Sequence, residues 1–233
     1  MTSNLTDNSK HTIKLSRGYS VNLTELIENL NHITVEIGWD QMAPVKVKGF
    51  FSWLRRFARR RSKDTPPDLD TFMLLLDHGT FGKAEEGDDN DWRDLIFFLN
   101  NERKHNDKVV VRQLDDSIVQ EDGKTIFKED FDVYLNELPD YVDEVVVGIN
   151  LWHGKERKQD LSNVKNAYAC VKNAETGAVV FEYRLEELTS NAGTYSFIFG
   201  KFRKNITDWE FEALGNDFVS TSVMDVARRY MWI

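Results

Sequence analysis

Four short acidic stretches hold the side chains of this sequence that are best suited to chemistry. They cover residues 64–70, 85–94, 115–122 and 129–132, and each borders a segment that we predict to be a β-strand. Turns at one end of a β-structure could bring these carboxylates together, and crowded carboxylates repel one another unless a cation lies among them. Ca²⁺ accepts roughly six to eight oxygen ligands in flexible geometry, which suits a site built from loops. The alternative is that these stretches are loops of solvated charge.

Residue patterns typical of catalysis are absent from the sequence. The His-Glu-x-x-His, Gly-x-Ser-x-Gly, P-loop and Gly-x-Gly-x-x-Gly motifs do not occur, and the five histidines show no paired metal-ligand spacing. Cys170 is the only cysteine, which rules out an internal disulfide and a zinc site made of cysteines. We interpret Cys170 as a small buried side chain rather than a redox-active thiol. We therefore expect that the protein is not an enzyme.

The charge of the chain is distributed unevenly. The net charge is −9, yet residues 41–63 contain eight basic and no acidic side chains, so the rest of the chain carries −17. A body this acidic repels nucleic acid over most of its surface and is suited to holding cations. Nucleic acid is therefore not expected as a partner.

The basic segment is predicted to form a short amphipathic helix. Phe50, Trp53 and Phe57 are spaced to share one helical face, and Pro66-Pro67 would end the helix. The arginines fall mainly on the other faces: Arg55, Arg56, Arg59, Arg60 and Arg61. Such a helix suits docking on an anionic membrane surface or an acidic partner. The alternative is that its aromatic side chains pack on the β-structure while the arginines are solvated.

Short segments rich in β-branched and aromatic residues recur along the chain between turn residues. They are predicted as strands at 11–15, 33–38, 70–77, 94–99, 108–112, 131–135, 144–152, 167–172, 178–185, 195–202 and 209–214. Residues 173–177 are predicted to form a hairpin loop. Helices are predicted at 24–30 and, as an amphipathic C-terminal helix, at 217–230. The fold class is therefore all-β, a two-sheet β-sandwich with a few short helices.

Several motifs in a fixed order resemble the TerD family of bacterial tellurite-resistance and stress-response proteins. They are "HITVEIGWD", "DLDTFMLLLD", "DLIFFLNN", "LSNVKNAYACVKNAETGAVVFEYRL" and "DWEFEALG". The resemblance covers about residues 21–215 and implies a β-sandwich that binds Ca²⁺ through loops at one end. The family's short gap between the first two motifs is lengthened here. We therefore predict a single TerD-like domain over residues 1–233, with a basic insertion at about 43–67.

The resemblance also implies a set of metal ligands. These are Asp68, Asp70, Asn100, Asn101, Asp115, Asp116, Glu129 and Asp130. The sequence departs from the family where glycine-rich loops are expected, because only Gly123 remains there and Lys128 introduces a competing cation. A second ion site is therefore expected to be weakened or lost.

Two functions are consistent with these patterns. The first is a Ca²⁺-binding stress-response protein that acts as an interaction module in tellurite, chemical-stress or phage-defence-type pathways, with other stress-complex proteins as partners. The alternative is a peripheral membrane- or partner-docking adaptor that uses the basic aromatic insertion. The polar N-terminus lacks a secretory apolar region, and no apolar run approaches the ~18–20 residues that span a bilayer. We therefore expect a cytoplasmic protein, with a peripheral position at the inner membrane as the alternative.

Overall fold

A computed structural model describes residues 12–40, 67–81, 92–121, 123–184 and 192–231. The proposed docking residues of the basic insertion lie outside these ranges, so the predicted helix stays a prediction. These residues are Phe50, Trp53, Arg55, Arg56, Phe57, Arg59, Arg60 and Arg61. The extent of the domain, residues 1–233, is likewise a prediction. In the described ranges, every helix is too short to cross a bilayer.

Two β-sheets dominate the structure, which confirms the predicted all-β sandwich. The strands are β1 (Ile13–Leu15), β2 (Ser20–Asn22), β3 (His32–Asp40), β4 (Leu69–Asp77), β5 (Thr80–Phe81), β6 (Leu95–Ile96), β7 (Glu102–His105), β8 (Lys108–Gln113), β9 (Ser117–Glu121), β10 (Lys124–Tyr134), β11 (Glu144–Leu151), β12 (Lys165–Asn173), β13 (Val179–Arg184), β14 (Ser196–Lys204) and β15 (Trp209–Phe218). Short α-helices are α1 (Leu23–Leu26), α2 (Gly154–Arg157) and α3 (Val223–Ala227), and 3-10 turns occupy Leu135–Glu137, Leu161–Asn163 and Arg228–Tyr230.

The first sheet has the strand order β1-β13-β12-β3-β10-β8-β7, with β9 paired to β10. The second has the order β2-β15-β14-β11-β4-β5, with β6 paired to β4. The pairs are antiparallel apart from β1 with β13. Because strand residues alternate in direction, each sheet sends one set of side chains into the space between the sheets.

Strand β4 is apolar on both faces because both faces are covered. Leu69, Met73 and Leu75 belong to the core between the sheets. Phe72, Leu74 and Leu76 belong to a second buried cluster, which α3 covers with Val223, Val226 and Ala227. The long apolar run in "DLDTFMLLLD" therefore reflects burial on two sides, as expected for such strands.

All eleven predicted strands and the hairpin loop at 173–177 are present, but several boundaries are wrong. Residues 129–132 lie inside β10 rather than in a loop, and the predicted loop at 115–122 contains β9. The C-terminal helix begins only at Val223, because Asp217 and Phe218 extend β15 and pair with β14. The Ser222 side chain caps this helix by accepting a hydrogen bond from the Asp225 amide.

One end of the sandwich gathers chain segments that are far apart in sequence. There β4 begins, β11 ends and β8 ends, and Leu69 pairs with Leu151. The Trp152 amide donates to the Asp68 carbonyl oxygen at 2.8 Å, and the Leu114 amide donates to the Asp130 carbonyl oxygen at 2.8 Å. These bonds fix the segments around Asp68 and Asp115 at the same end of the molecule.

Candidate cation-binding cleft

A cleft of about 440 Å³ opens at this end of the sandwich. Six of the eight predicted metal ligands line it: Asp68, Asp70, Asn101, Asp115, Asp116 and Glu129. Its other lining residues are Leu69, Phe98, Gln113, Leu114, Trp152 and Arg157. The structure therefore brings together carboxylates from three separate acidic stretches.

The two remaining predicted ligands, Asn100 and Asp130, are not among the lining residues. The Asn100 side-chain amide donates to the carbonyl oxygens of Leu95 at 2.7 Å and Trp92 at 3.2 Å, so it stabilises a turn. Asp130 follows Glu129 in β10 and points to the opposite face of the sheet, where it is paired across the strands with Glu36. The structure therefore does not bring these two residues together with the other six.

Glu129 is the most enclosed carboxylate of the cleft, with 6% of its surface exposed. It extends from the first sheet to the second and accepts hydrogen bonds from the Thr71 amide at 3.1 Å and the Thr71 hydroxyl at 2.5 Å. The Gln113 side-chain amide also donates to it, at 3.2 Å. All three donors are neutral, so they orient the Glu129 carboxylate without cancelling its charge.

The pKa values of two carboxyl groups in the cleft are raised by burial and by neighbouring negative charges. Burial raises the pKa of Glu129 to about 7, and the negative charge of Asp116 adds to the shift. Burial likewise raises the pKa of Asp70 to about 8, with contributions from the charges of Asp68, Glu129 and Asp116. Deprotonation of these groups is therefore less favourable than in water, and a positive charge in the cleft would favour it.

Arg157 supplies a positive charge at the rim of the cleft. It ends α2 and is only 7% exposed, and its guanidinium lies 3.4 Å from an Asp68 carboxylate oxygen. The charge of Arg157 lowers the pKa of Asp70, but burial and the neighbouring carboxylates outweigh it. One guanidinium therefore leaves most of the acidic charge uncompensated.

Lys128, which we expected to compete at a second ion site, points away from the cleft. Its ammonium group lies 2.8 Å from a Glu121 carboxylate oxygen and 3.4 Å from one of Glu36. Lys128 and Glu129 are successive residues of one strand, so their side chains point to opposite faces of the sheet. The lysine therefore neutralises a different carboxylate.

Gln113 contributes a free acceptor to the cleft. Its side-chain nitrogen donates to the Thr71 hydroxyl at 2.9 Å and to Glu129, which fixes its orientation. Its side-chain oxygen is buried and has no hydrogen-bond partner among the described residues. A buried acceptor of this kind is costly unless a donor or a cation satisfies it.

A second group of potential ligands lies at the far end of β4. Asp77, His78 and Asp143 place three ligand atoms within 4.8 Å of one another. The Asp143 carboxylate accepts a hydrogen bond from the His78 amide at 2.7 Å and also contacts the imidazole. These contacts are explained by an ordinary ion pair at a turn, and Leu69 at the cleft is about 26 Å away along the strand.

Comparison with known proteins identifies the family. The TerD domain matches residues 11–230. The chain belongs to the TerD family. Stress response protein SCP2 of Bacillus subtilis (strain 168) is 26% identical over 220 residues, which cover 94% of this chain and 99% of SCP2. Tellurium resistance protein TerD of Serratia marcescens is 25% identical over 209 residues, covering 89% and 91% of the two chains.

A solved structure supports the fold of this TerD-family chain. The crystal structure of a homologue of the telluride resistance protein (TerD) from Streptomyces coelicolor A3(2) superposes with a TM-score of 0.53. The superposition covers 84% of this chain and 95% of the other, at 16% sequence identity. The β-sandwich is therefore common to both proteins.

Sequence reasoning missed three polar residues that shape the cleft of this TerD protein. Thr71 and Gln113 sit within predicted strands, or next to one, and carry no charge that would mark them. Arg157 lies in "LWHGKERKQD", where it is one of several basic residues. Alternation in β4 would have placed Thr71 on the inner face with Leu69 and Met73, which is the one signal available for it.

Proposed function

We propose that this protein is a Ca²⁺-binding member of the TerD family, in which the cation occupies the acidic cleft. The observation that carries the proposal is the convergence of Asp68, Asp70 and Glu129 with Asp115 and Asp116 on one cleft. Burial raises the pKa of Asp70 and Glu129, and the negative charges of neighbouring carboxylates add to both shifts, so a divalent cation would relieve the repulsion.

The chemistry of the donors supports Ca²⁺ in particular. The polar groups that line the cleft apart from Arg157 offer carboxylate or amide oxygens, including the unpartnered oxygen of Gln113. Ca²⁺ accepts many oxygen ligands in irregular geometry, whereas Mg²⁺ requires a near-ideal octahedron and retains its waters. When bound, the cation would supply positive charge to the cleft, and Glu129, Asp68 and Asp70 would hold it.

The role we propose for the ion is structural and recognition-related rather than catalytic. Burial raises the pKa of the Cys170 thiol to about 12, with the charge of Glu36 adding to the shift, so the thiol stays protonated at neutral pH. Cys170 is therefore unsuited to reducing tellurite. We infer that the protein acts as an interaction module in a stress response, since relatives bear stress-response and tellurium-resistance names.

Calorimetric titration with Ca²⁺ tests the proposal. Wild-type protein should bind Ca²⁺, with Mg²⁺ binding more weakly in a parallel titration. The double variant Asp68→Asn/Asp70→Asn should weaken Ca²⁺ binding by at least about 100-fold, since loss of even an outer partner of a metal ligand costs about 10–100-fold. No heat of binding at about 1 mM Ca²⁺ would refute the proposal.

A matched control separates the cleft from the other carboxylate group. The double variant Asp77→Asn/Asp143→Asn removes the same number of charges at the far end of β4. It should bind Ca²⁺ with wild-type affinity. Loss of binding in this variant, with binding preserved in Asp68→Asn/Asp70→Asn, would move the ion to the other end of the sandwich.

A further inference from the structure

A tight turn beside the cleft holds two large apolar side chains out in solvent. Phe98 is 45% exposed and Leu99 is 75% exposed. The turn is closed by two hydrogen bonds between Phe97 and Asn100, in which each amide donates to the other residue's carbonyl oxygen, at 3.0 and 2.8 Å. Exposing two consecutive large apolar residues is costly and calls for a reason.

The turn is rigid and adjoins the carboxylates. Phe97 belongs to the second buried cluster, the one that α3 covers. The Asn100 side chain braces the turn through its hydrogen bonds to the carbonyl oxygens of Trp92 and Leu95. Phe98 lines the cleft, and its ring packs edge-on against Trp152, with centroids 5.5 Å apart. The apolar tip therefore stands at the mouth of the cleft, next to an amphipathic aromatic side chain.

Such a tip is too small for a stable protein interface, which needs roughly 20–30 residues from each partner. A lipid surface requires only a few inserted apolar groups together with an electrostatic attraction. Without a cation, the acidic cleft would repel an anionic membrane. A cation in the cleft would reverse that repulsion locally and could bind headgroup oxygens directly.

We propose that the Phe98–Leu99 tip and the cation-loaded cleft together form a docking surface for an anionic membrane. The proposal rests on the function proposed above, because the cation supplies the attraction to the headgroups. Leu99, and partly Phe98, would then enter the boundary between headgroups and acyl chains. Trp152 suits the same interface, where tryptophan is enriched.

Vesicle co-sedimentation of the full chain tests this docking surface. Vesicles of phosphatidylcholine mixed with phosphatidylserine should bind the wild-type protein in Ca²⁺ and release it in chelator, and pure phosphatidylcholine vesicles should not bind it. Leu99→Ser should weaken the Ca²⁺-dependent binding about tenfold, as expected when one buried leucine is lost. Leu99→Met should restore most of it.

The chain offers a matched control at the opposite end of the second sheet. Ile206 is 100% exposed in the turn between β14 and β15, which is closed by the Asn205 amide donating to the Asp208 carbonyl oxygen at 2.8 Å. Ile206→Ser removes similar apolar surface and should leave vesicle binding unchanged. Calorimetry in the absence of vesicles should show wild-type Ca²⁺ affinity for both serine variants.

Several results would overturn the docking surface while leaving Ca²⁺ binding intact. They are Ca²⁺ binding without any vesicle binding, equal vesicle binding in Ca²⁺ and chelator, or equal effects of Leu99→Ser and Ile206→Ser. Full binding by Leu99→Ser, with loss of binding when the five arginines from Arg55 to Arg61 become glutamine, would assign docking to the basic segment instead. An absence of Ca²⁺ binding in the calorimetric titration would refute both proposals.

Discussion

Two buried glutamates on neighbouring strands of the first sheet have opposite surroundings. Glu36 on β3 and Glu129 on β10 are 5% and 6% exposed. Burial alone would raise the pKa of Glu36, but hydrogen bonds from Lys172 and Tyr168 and the charges of Lys172 and Lys128 lower it overall. Burial raises the pKa of Glu129 and the negative charge of Asp116 adds to the shift, because hydrogen bonds from neutral donors lower it too little to compensate.

The contrast is between the charge of Glu36, which basic side chains of the same fold neutralise, and the charge of Glu129, which lies among other carboxylates. Around Glu36, the Lys172 ammonium lies 2.5 Å and the Tyr168 hydroxyl 2.7 Å from its carboxylate oxygens. Around Glu129, carboxylates accumulate, and Arg157 is the one basic side chain among the described residues that line the cleft. The ion pair at Glu36 is complete within the chain. The cleft is where we propose that a cation binds from outside.

The largest expected effect comes from removing the neutralising charge at Glu36. Lys172→Met should lower the free energy of unfolding by about 3 kcal/mol, because it leaves the buried Glu36 carboxylate with Lys128 as its one counter-charge among the described residues. Urea denaturation measures the change. Lys104→Met is the control, since its pair with Glu102 is exposed and should contribute only about 0–1 kcal/mol. Similar losses in both variants would contradict the idea that Glu36 is specially neutralised.

Exchanging each glutamate for glutamine should give effects of opposite sign. Glu36→Gln should destabilise the protein by about 2 kcal/mol, since it leaves the partly buried Lys172 without its counter-charge and Lys128 with Glu121 alone. Glu129→Gln in chelator at pH 8 should stabilise it by about 1 kcal/mol, because it removes a repelled charge. Chemical denaturation of both variants in the same buffer decides the point, and destabilisation by both would erase the contrast.

The pH dependence of stability should differ between the ion-free and ion-loaded cleft. The pKa values of Asp70 and Glu129 are raised in the folded state. The stability that their protonated forms contribute is therefore complete below about pH 4 and is lost as the pH rises to about 8. Each proton retained contributes a slope of at most about 1.4 kcal/mol per pH unit. Ca²⁺ binding requires deprotonated carboxylates, so Ca²⁺ affinity should increase over the same range.

Denaturation in chelator between pH 5 and pH 8 measures this slope. The double variant Asp70→Asn/Glu129→Gln should show a flatter profile than the wild type, because other titrating groups are common to both proteins. Parallel profiles for the two proteins would show that the cleft carboxylates titrate normally.

The smallest effect separates two adjacent asparagines. Asn100→Ala should cost about 1 kcal/mol of stability, because the carbonyl oxygens of Leu95 and Trp92 each lose a hydrogen bond. Asn101→Ala should leave stability unchanged and weaken Ca²⁺ binding a fewfold, since Asn101 lines the cleft. Thermal unfolding in chelator and calorimetry in Ca²⁺ provide the two measurements, and an interchange of the two outcomes would place the ion against Asn100.

The sandwich was predictable because its strands carry strong apolar signals. The apolar runs in β4 and β11 and the alternation in β15 identify strands without any knowledge of the partners. The first half of β10 was missed, because "KTIFKED" is highly charged and has the composition of a loop. Two of its charges lie on opposite faces of the sheet: Lys128 meets Glu36 and Glu121 on the outer face, and Glu129 reaches Thr71 on the inner face.

Six of the eight residues that the family resemblance implied as ligands line the cleft, and two do not. Asp130 points away from the cleft, because successive residues of a strand point in opposite directions and Glu129 faces it. The Asn100 side chain is engaged in the turn that it braces, which the sequence pattern does not reveal. The predicted docking helix and its arginines stay predictions, because they lie outside the described residues.

The hydrogen bond from the Thr71 amide to Glu129 also bears on aggregation. Strand β4 pairs with β11 along one side, while on its other side pairing with β6 involves only Met73 and Leu74. The amide of Thr71 lies just before that pairing begins, and Glu129 occupies it. An unoccupied strand edge is a template on which a second chain can add. The Glu129 carboxylate thus takes the place of a strand partner for one buried amide at this point of β4.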